Sequence, residues 1–463
     1  MVDQNKNILN RQLGLFDSIM IMMGIVLGAG IFITTGIMAS AIPSAGLILI
    51  AWFTGGLFTL AGALTYAELG ASMPEAGGQY VYLRKAYGPL PGFLSGWILF
   101  VVYFSGGIAA LAVAFAEYFG FFFPSLSLEN ILFETDLSFA GLSLNLKLSA
   151  GKLVGAGAIL LPTIINIIGT GFGKIIQNIL SVIKIAVLVA IIVLGFTIGK
   201  GMTIDFSLNP SGLNIGNLIS GFGIALIAVF WAFDGWNNIT IVAGEIKNPG
   251  VNIPRTLILG TLFVTILYIL INYIYLYTLP VDEISGVVRV AEKTTAVLFG
   301  GTTAAIISAA VIISTFGSIN GSIITGPRIM YAMSKDGLFF KSAAKIHPKF
   351  KTPAISIVMQ AAWAIILVFS GTFEQLLTYI IFVSVIFWIF ASTSVFTLRK
   401  KFPDLPRPYK VWGYPYVPFI FIIASIIIMI NTLIEKPVES FAGIGITLIG
   451  IPVYYYWKKK DSK

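Results

Sequence analysis

An aspartate and a glycine stand side by side in the middle of an apolar run. The run extends from about Ile215 to Ala243, and its centre reads Phe230-Trp231-Ala232-Phe233-Asp234-Gly235-Trp236-Asn237-Asn238. An acid at the centre of a membrane helix costs roughly 2.5–3.5 kcal/mol on insertion scales, and glycine is about 1 kcal/mol worse than alanine as a helix former. Such a pair is tolerated where the backbone unwinds beside a water-filled cavity. A second interrupted run, with Gly24, Gly28 and Gly30 in mid-segment, lies near the N-terminus. Bare peptide groups are the chemistry that such breaks offer. A helix restarting around Gly28-Ala29-Gly30 presents free amides at the head of an outer half, Ile31 to Ala41, where partial positive charge suits a carboxylate. A helix ending over Trp231, Ala232 and Asp234 presents free carbonyls at its negative end, which suit an ammonium group. The two sets together describe the backbone of an α-amino acid. Paired breaks in two halves of a membrane chain point to a transporter's binding site.

Several of these residues have a plainer reading as well. Gly24 and Gly28 form a small-xxx-small pattern that also serves close helix packing. Trp231 either covers a ligand as a gate or packs as an ordinary aromatic. Asp234 either meets a basic ligand side chain or accepts bonds from freed amides nearby. Lys184 is the most informative single charge. It lies about ten residues, roughly 15 Å, from either end of its segment, too far to reach water comfortably. Gln177, Ser181 and Lys184 share one helix face by their spacing. An intramembrane lysine is a functional candidate: its ammonium can stand where a bound cation would hold two helices together, or it can titrate, or it can tether backbone carbonyls.

The elements that position these residues follow from composition. The chain has 463 residues, 57% hydrophobic and 11% charged, with mean hydropathy +0.92, against about 25% charged in soluble domains. Apolar stretches of about 20 residues mark spanning helices. Twelve are expected, at 14–41, 45–70, 89–123, 150–169, 173–198, 215–243, 255–279, 297–325, 353–371, 375–398, 415–434 and 438–457. With the N-terminus in the cytoplasm, the outside receives Lys147, Lys152, Lys200, Arg289, Lys293 and Lys436. Lys184 lies within a span, and the other 22 of the 29 Lys and Arg residues face inward. That asymmetry is the positive-inside rule, and it assigns the net charge of +9 to an inner lipid surface rather than to nucleic acid. The polar start, Met1 to Asn7, precedes a segment too long for a signal-peptide core, so no cleaved signal is expected.

Five segments precede the second break. Because five is odd, a second unit of five starts from the opposite face, which is the arithmetic of an inverted repeat. The expected organisation is a cytoplasmic segment 1–13, a first repeat 14–198, a second repeat 215–398, two added helices within 415–457, and a cytoplasmic tail 458–463. With no cysteine and one histidine, His347, neither disulfides nor thiolate or histidine metal sites are expected, and no cofactor is implied. The acids within the spans, Asp17, Glu117 and Asp234, form no recognisable catalytic pair, so an enzyme is not expected. Two further expectations concern the inner face. The basic amphipathic stretch Gly326–Gly337 would lie on the membrane surface. Glu68, Glu75 and Glu245 are either solvated or paired with Arg84, Lys85, Lys247 and Arg255.

The residues also carry a resemblance. Gly28-Ala29-Gly30-Ile31-Phe32 resembles the G-(S/A)-G-I-F motif of the amino acid–polyamine–organocation (APC) superfamily. Trp231 to Asn237 with Glu245 to Pro249, Phe316 to Ser322, Leu405 to Pro408 and Lys436 to Glu439 resemble its L-type amino acid transporter branch, in a bacterial-type member. The likeness runs from about residue 10 to the end. It implies an all-α membrane protein of twelve helices with a LeuT-type 5+5 inverted repeat, two C-terminal helices and broken helices 1 and 6. It also implies sodium-independent transport of neutral L-α-amino acids across the cytoplasmic membrane by alternating access, most often as exchange. The alternatives are proton-coupled amino acid or polyamine symport, and an amino acid sensor that does not transport. The resemblance puts the substrate carboxylate on the amides of Ala29 and Gly30, beside Gly28. It puts the amino group on the carbonyls of Val26, Trp231, Ala232 and Asp234. It makes Trp231 a gate, Asn237 a supporting polar residue, and Lys184 a substitute for sodium. This chain departs at Phe233, where some members carry Tyr, and at Asp234, which not all share; both bear on substrate range. Lacking cysteine, it cannot form the disulfide that joins animal members to a heavy chain.

Overall fold

A backbone in lipid must satisfy its own hydrogen bonds, so long apolar segments become helices. The computed structural model describes residues 9–139, 142–199, 201–210, 212–301, 303–370 and 373–461. Each of the twelve expected segments is helical. The first is a broken span, α1 (Leu15–Val26) and α2 (Gly30–Ala41), bent by 40°. Then come α3 (Ala45–Ser72), α4 (Pro89–Phe122), α5 (Ala150–Ile168), α6 (Thr170–Thr197), α7 (Ile215–Phe233) and α8 (Pro249–Thr278). The chain continues through α9 (Thr303–Thr325), α10 (Pro327–Lys335), α11 (Ala354–Ser370), α12 (Phe373–Lys401), α13 (Tyr416–Glu435) and α14 (Pro437–Asp461). Among the described residues ten helices are long and apolar enough to cross a membrane, or eleven with the bent pair, while α11 is a shorter apolar helix of 17 residues. Side-chain caps set several starts: Ser44, Ser149 and Asn214 accept from the amides of Leu47, Lys152 and Asn217. One element among the described residues departs from the helical pattern. Ile131–Phe139 and Leu142–Ser149 pair as an antiparallel hairpin in what reads as a polar connection.

The helix ends that carry Glu68 and Glu245 correct two expectations. The stretch around α10 does not lie on a lipid surface. Pro327 to Ser334 are buried, and Arg328 donates from Nε to Glu245 at 2.7 Å with both side chains enclosed. The amphipathic pattern is real, but protein rather than lipid covers it, because a guanidinium with a carboxylate partner can be enclosed. The acids also choose other partners than their sequence neighbours. Glu68 takes Arg399 at 2.5 Å and Arg407 at 3.5 Å, and Arg84 pairs with Asp336. The start of the chain is tied in as well, since Leu13 donates to and accepts from the Glu245–Lys247 backbone. The expected terminal segments lie partly outside the described residues, at 1–8 and 462–463.

Candidate functional site

Both breaks are present, and they face each other. α1 stops at Val26, and α2 begins at Gly30 without a side-chain cap, its Phe32 amide bonded back to the Ala29 carbonyl. α7 stops at Phe233. Asp234 is extended, and Gly235 has φ +96°, a left-handed conformation that favours glycine. The chain then resumes as a 3-10 helix, Asn238–Glu245, rather than an α-helix. The two breaks approach closely: a Cβ on Gly30 would lie 3.0 Å from the Ala232 Cα. Between them is a cavity of about 70 Å³.

Val26, Gly28, Ala29, Gly30, Trp231, Ala232 and Asp234 all line this cavity. Asn237 does not. It is buried and turned toward Tyr66, and Asn238 lines the cavity instead. The tight turn after Gly235 accounts for the exchange, since the Asn238 amide bonds back to the Gly235 carbonyl and brings its side chain over the break. Trp231 also borders a second, larger cavity of about 640 Å³, whose walls include Ile33, Val113, Glu117 and Arg289. The Trp231 side thus borders both the small chamber and the wide one.

Carbonyls at a helix C-terminus have no partner within the helix, and those of α1 are met from three neighbouring helices. Lys184 on α6 donates to the Gly24 carbonyl at 2.6 Å and to the Ser318 hydroxyl at 3.1 Å. Ser318 on α9 reaches the Gly24 and Ile25 carbonyls at 2.9 and 3.2 Å, and Ser314 reaches Leu27 at 2.7 Å. Tyr268 on α8 sets its hydroxyl 2.9 Å from both the Val26 and the Ala232 carbonyls, so one phenol ties the two breaks together. The cation of Lys184 also sits at the negative end of the α1 dipole. It lies behind Gly24 and is not part of the cavity lining.

Sequence reasoning did not single out Tyr103, Phe104, Tyr268 or Asn238, because nothing marks them within their apolar or motif context. Ser318 lies inside the Phe316–Ser322 motif, but its role needs the third dimension. The chamber is lined by the start of α2 at Ala29 and Gly30, by the end of α7 at Trp231 and Ala232, and by a polar wall at Tyr103, Asp234 and Asn238. Among the described residues no group of three or more His, Cys, Asp or Glu could hold a metal ion.

If Trp231 is the partition that seals a ligand in, Trp231→Ala will raise the apparent KM for uptake by about tenfold, the equivalent of roughly 1.4 kcal/mol, with little change in thermal stability. Unchanged kinetics would leave it a packing residue.

Residues 13–455 match the family described as Amino acid permease. The chain is 35% identical over 459 residues to the Serine/threonine exchanger SteT of Bacillus subtilis (strain 168), covering 98% of this chain and 99% of that one. It is 30% identical over 466 residues to the Large neutral amino acids transporter small subunit 2 of Mus musculus, covering 98% and 83%. It is 27% identical over 455 residues to the b(0,+)-type amino acid transporter 1 of Mus musculus, covering 97% and 88%.

Proposed function

The chain belongs to the amino acid permease family, a multi-pass membrane transporter of amino acids and not an enzyme, and from that premise we propose that it exchanges small neutral L-α-amino acids without sodium, by alternating access across the cytoplasmic membrane. The observation that carries this reading is the 70 Å³ chamber between two helix breaks, amides on one side and carbonyls on the other. The substrate carboxylate binds the amides of Ala29 and Gly30. The ammonium group shares the carbonyls of Val26, Trp231, Ala232 and Asp234, with Tyr268 between two of them. Lys184 supplies the positive charge that a sodium ion would otherwise bring to α1, α6 and α9. The relative whose name says exchanger supports antiport over net uptake.

Residues 14–198 and 215–398 act as two oppositely oriented repeats, followed by the two helices within 415–457. Both termini face the cytoplasm. The chain works without a disulfide-linked partner, as it has no cysteine to offer one. That same lack makes topology easy to test: single cysteines introduced at Lys247 and Lys436 should be labelled by an impermeant maleimide from the inside and the outside, respectively.

Exchange is tested in proteoliposomes. Labelled serine outside should enter at least about tenfold faster when unlabelled amino acid is loaded inside, a ratio worth roughly 1.4 kcal/mol in effective barrier. Equal uptake into empty and loaded vesicles would refute antiport.

A further inference from the structure

A further pocket lies where α14 ends. This helix is apolar and long enough to cross the membrane, and it closes on Tyr454, Tyr455, Tyr456 and Trp457, followed by Lys458, Lys459 and Lys460. Tyrosine and tryptophan ahead of lysines mark the level of lipid headgroups. The chain that follows α10 meets α14 there. Gly337 turns with φ +73°, and the Ser334 hydroxyl donates to the Phe340 carbonyl at 2.6 Å. The rings of Phe339 and Phe340 are thereby set against Trp457, with centroids 6.0 and 4.7 Å away. Between the two segments is a cavity of about 200 Å³, whose lining includes Phe339, Phe340, Lys341, Ser342, Trp457 and Lys460. It shares no lining residue with the chamber.

The floor and the rim of this cavity differ in character. Phe339 and Trp457 are buried, while Lys341 and Lys460 are exposed. Among the described residues no carboxylate lies within ion-pair distance of either lysine. The acid nearest in sequence to Lys341, Asp336, is held by Arg84 and Tyr80. Two ammonium groups without a counter-charge, standing over an aromatic floor, suit an anion that carries an apolar body. The surface of α14 continues the same preference. Ile449, Pro452, Tyr456 and Lys460 recur at spacings of three and four residues, so they share one helix face. Ile449 and Tyr456 are 57% and 60% exposed, which makes an apolar stripe leading up to the basic rim.

We propose that this cavity binds the headgroup of an anionic phospholipid, with its phosphate between Lys341 and Lys460 and an acyl chain along the Ile449–Tyr456 stripe. Basic pockets beside membrane helices are where such headgroups are held. The volume, about 200 Å³, exceeds the roughly 150 Å³ that accepts benzene, so a phosphate with its glycerol carbons fits. A free phosphate would use the basic rim and leave the aromatic floor uncovered, whereas a phospholipid covers both. The bound lipid joins α14 to the segment that follows α10.

The test uses the full chain, purified in a neutral detergent. It is titrated with dioctanoyl phosphatidylglycerol, dioctanoyl phosphatidylcholine and inorganic phosphate, with tryptophan fluorescence and the thermal melt as readouts. Phosphatidylglycerol should bind saturably and raise Tm, and phosphatidylcholine should bind at least about tenfold more weakly. Inorganic phosphate at the same concentration should not displace the lipid. A lysine beside an anionic headgroup contributes about fivefold in affinity, so Lys341→Gln with Lys460→Gln should weaken phosphatidylglycerol binding by about 20-fold. Lys345→Gln with Lys349→Gln removes the same charge outside the cavity lining and should change binding by less than about threefold. All four lysines are exposed, so neither double variant removes an enclosed side chain. Equal weakening in the two double variants would overturn the pocket, by making the attraction a property of the whole basic surface. Displacement by inorganic phosphate would overturn the lipid as occupant, as would equal binding of the two lipids or no saturable binding of phosphatidylglycerol.

Discussion

Replacing Gly30 with valine is expected to cut exchange by at least about 100-fold while the chain still inserts and folds. Two effects act at the same atom. A Cβ at residue 30 would lie 3.0 Å from the Ala232 Cα and 3.2 Å from its Cβ, closer than ordinary carbon contact. Overpacking of this kind costs about 1–3 kcal/mol. The branched side chain would also shield the first amides of α2 from a carboxylate, and a hydrogen bond to a charged group contributes about 1.5–3 kcal/mol. The shielding alone is worth about tenfold or more, and the overpacking adds to it by pushing the start of α2 away from Ala232 and misplacing the same amides. Gly30→Ala brings the Cβ but no branches, so its loss should be smaller. Uptake by proteoliposomes, normalised to protein recovered as a monodisperse peak, measures both variants. Near-normal transport by Gly30→Val would remove the carboxylate from this helix end.

The second large effect is expected at Lys184. Lys184→Ala removes the cation from the Gly24 carbonyl and leaves Ser318 to serve Gly24 and Ile25 with one proton. An enclosed carbonyl without a donor costs about 1–3 kcal/mol, and the attraction of the cation to the end of α1 is lost as well. Exchange should fall by about 10- to 100-fold on that scale, with sodium unable to restore it. Lys184→Arg should not rescue, since a planar guanidinium does not replace a compact ammonium. Wild-type exchange should stay constant when an inward pH gradient is imposed or collapsed. A gradient-dependent rate that disappears in Lys184→Ala would instead make the lysine a proton carrier.

Much of the architecture is legible in the residues because lipid leaves few choices. Long apolar runs become helices, and an Asp-Gly pair in mid-run signals a break. The segments around α1, α2 and α7 follow from that alone, and so does the placement of Lys184 deep within α6. The rest was hidden for identifiable reasons. A π-helical turn shifts register by one residue, and Leu99 to Phe104 are all apolar or aromatic, so no periodicity marks the shift. Tyr268 sits in a run of aliphatic and aromatic residues on α8, where one hydroxyl among several has no distinguishing neighbour. At the helix ends that carry Glu68 and Glu245 many acids and bases lie within reach of one another in sequence. Only the packing decides that Glu245 takes Arg328 and that Glu68 takes Arg399. Asn237 and Asn238 differ by a single position in a tight turn, a distinction finer than the pattern of either neighbour provides.

The way the end of α1 is held bears on how the protein must move. Lys184, Tyr268, Ser314 and Ser318 grip four successive carbonyls from three separate helices. Hydrogen bonds weaken steeply with misalignment, so a small tilt loosens all four grips together rather than in turn. Halfway positions would forfeit the grips before water could replace them. Held this way, the end of α1 is expected to move as one piece, and an occupant of the chamber would act by favouring one position over another.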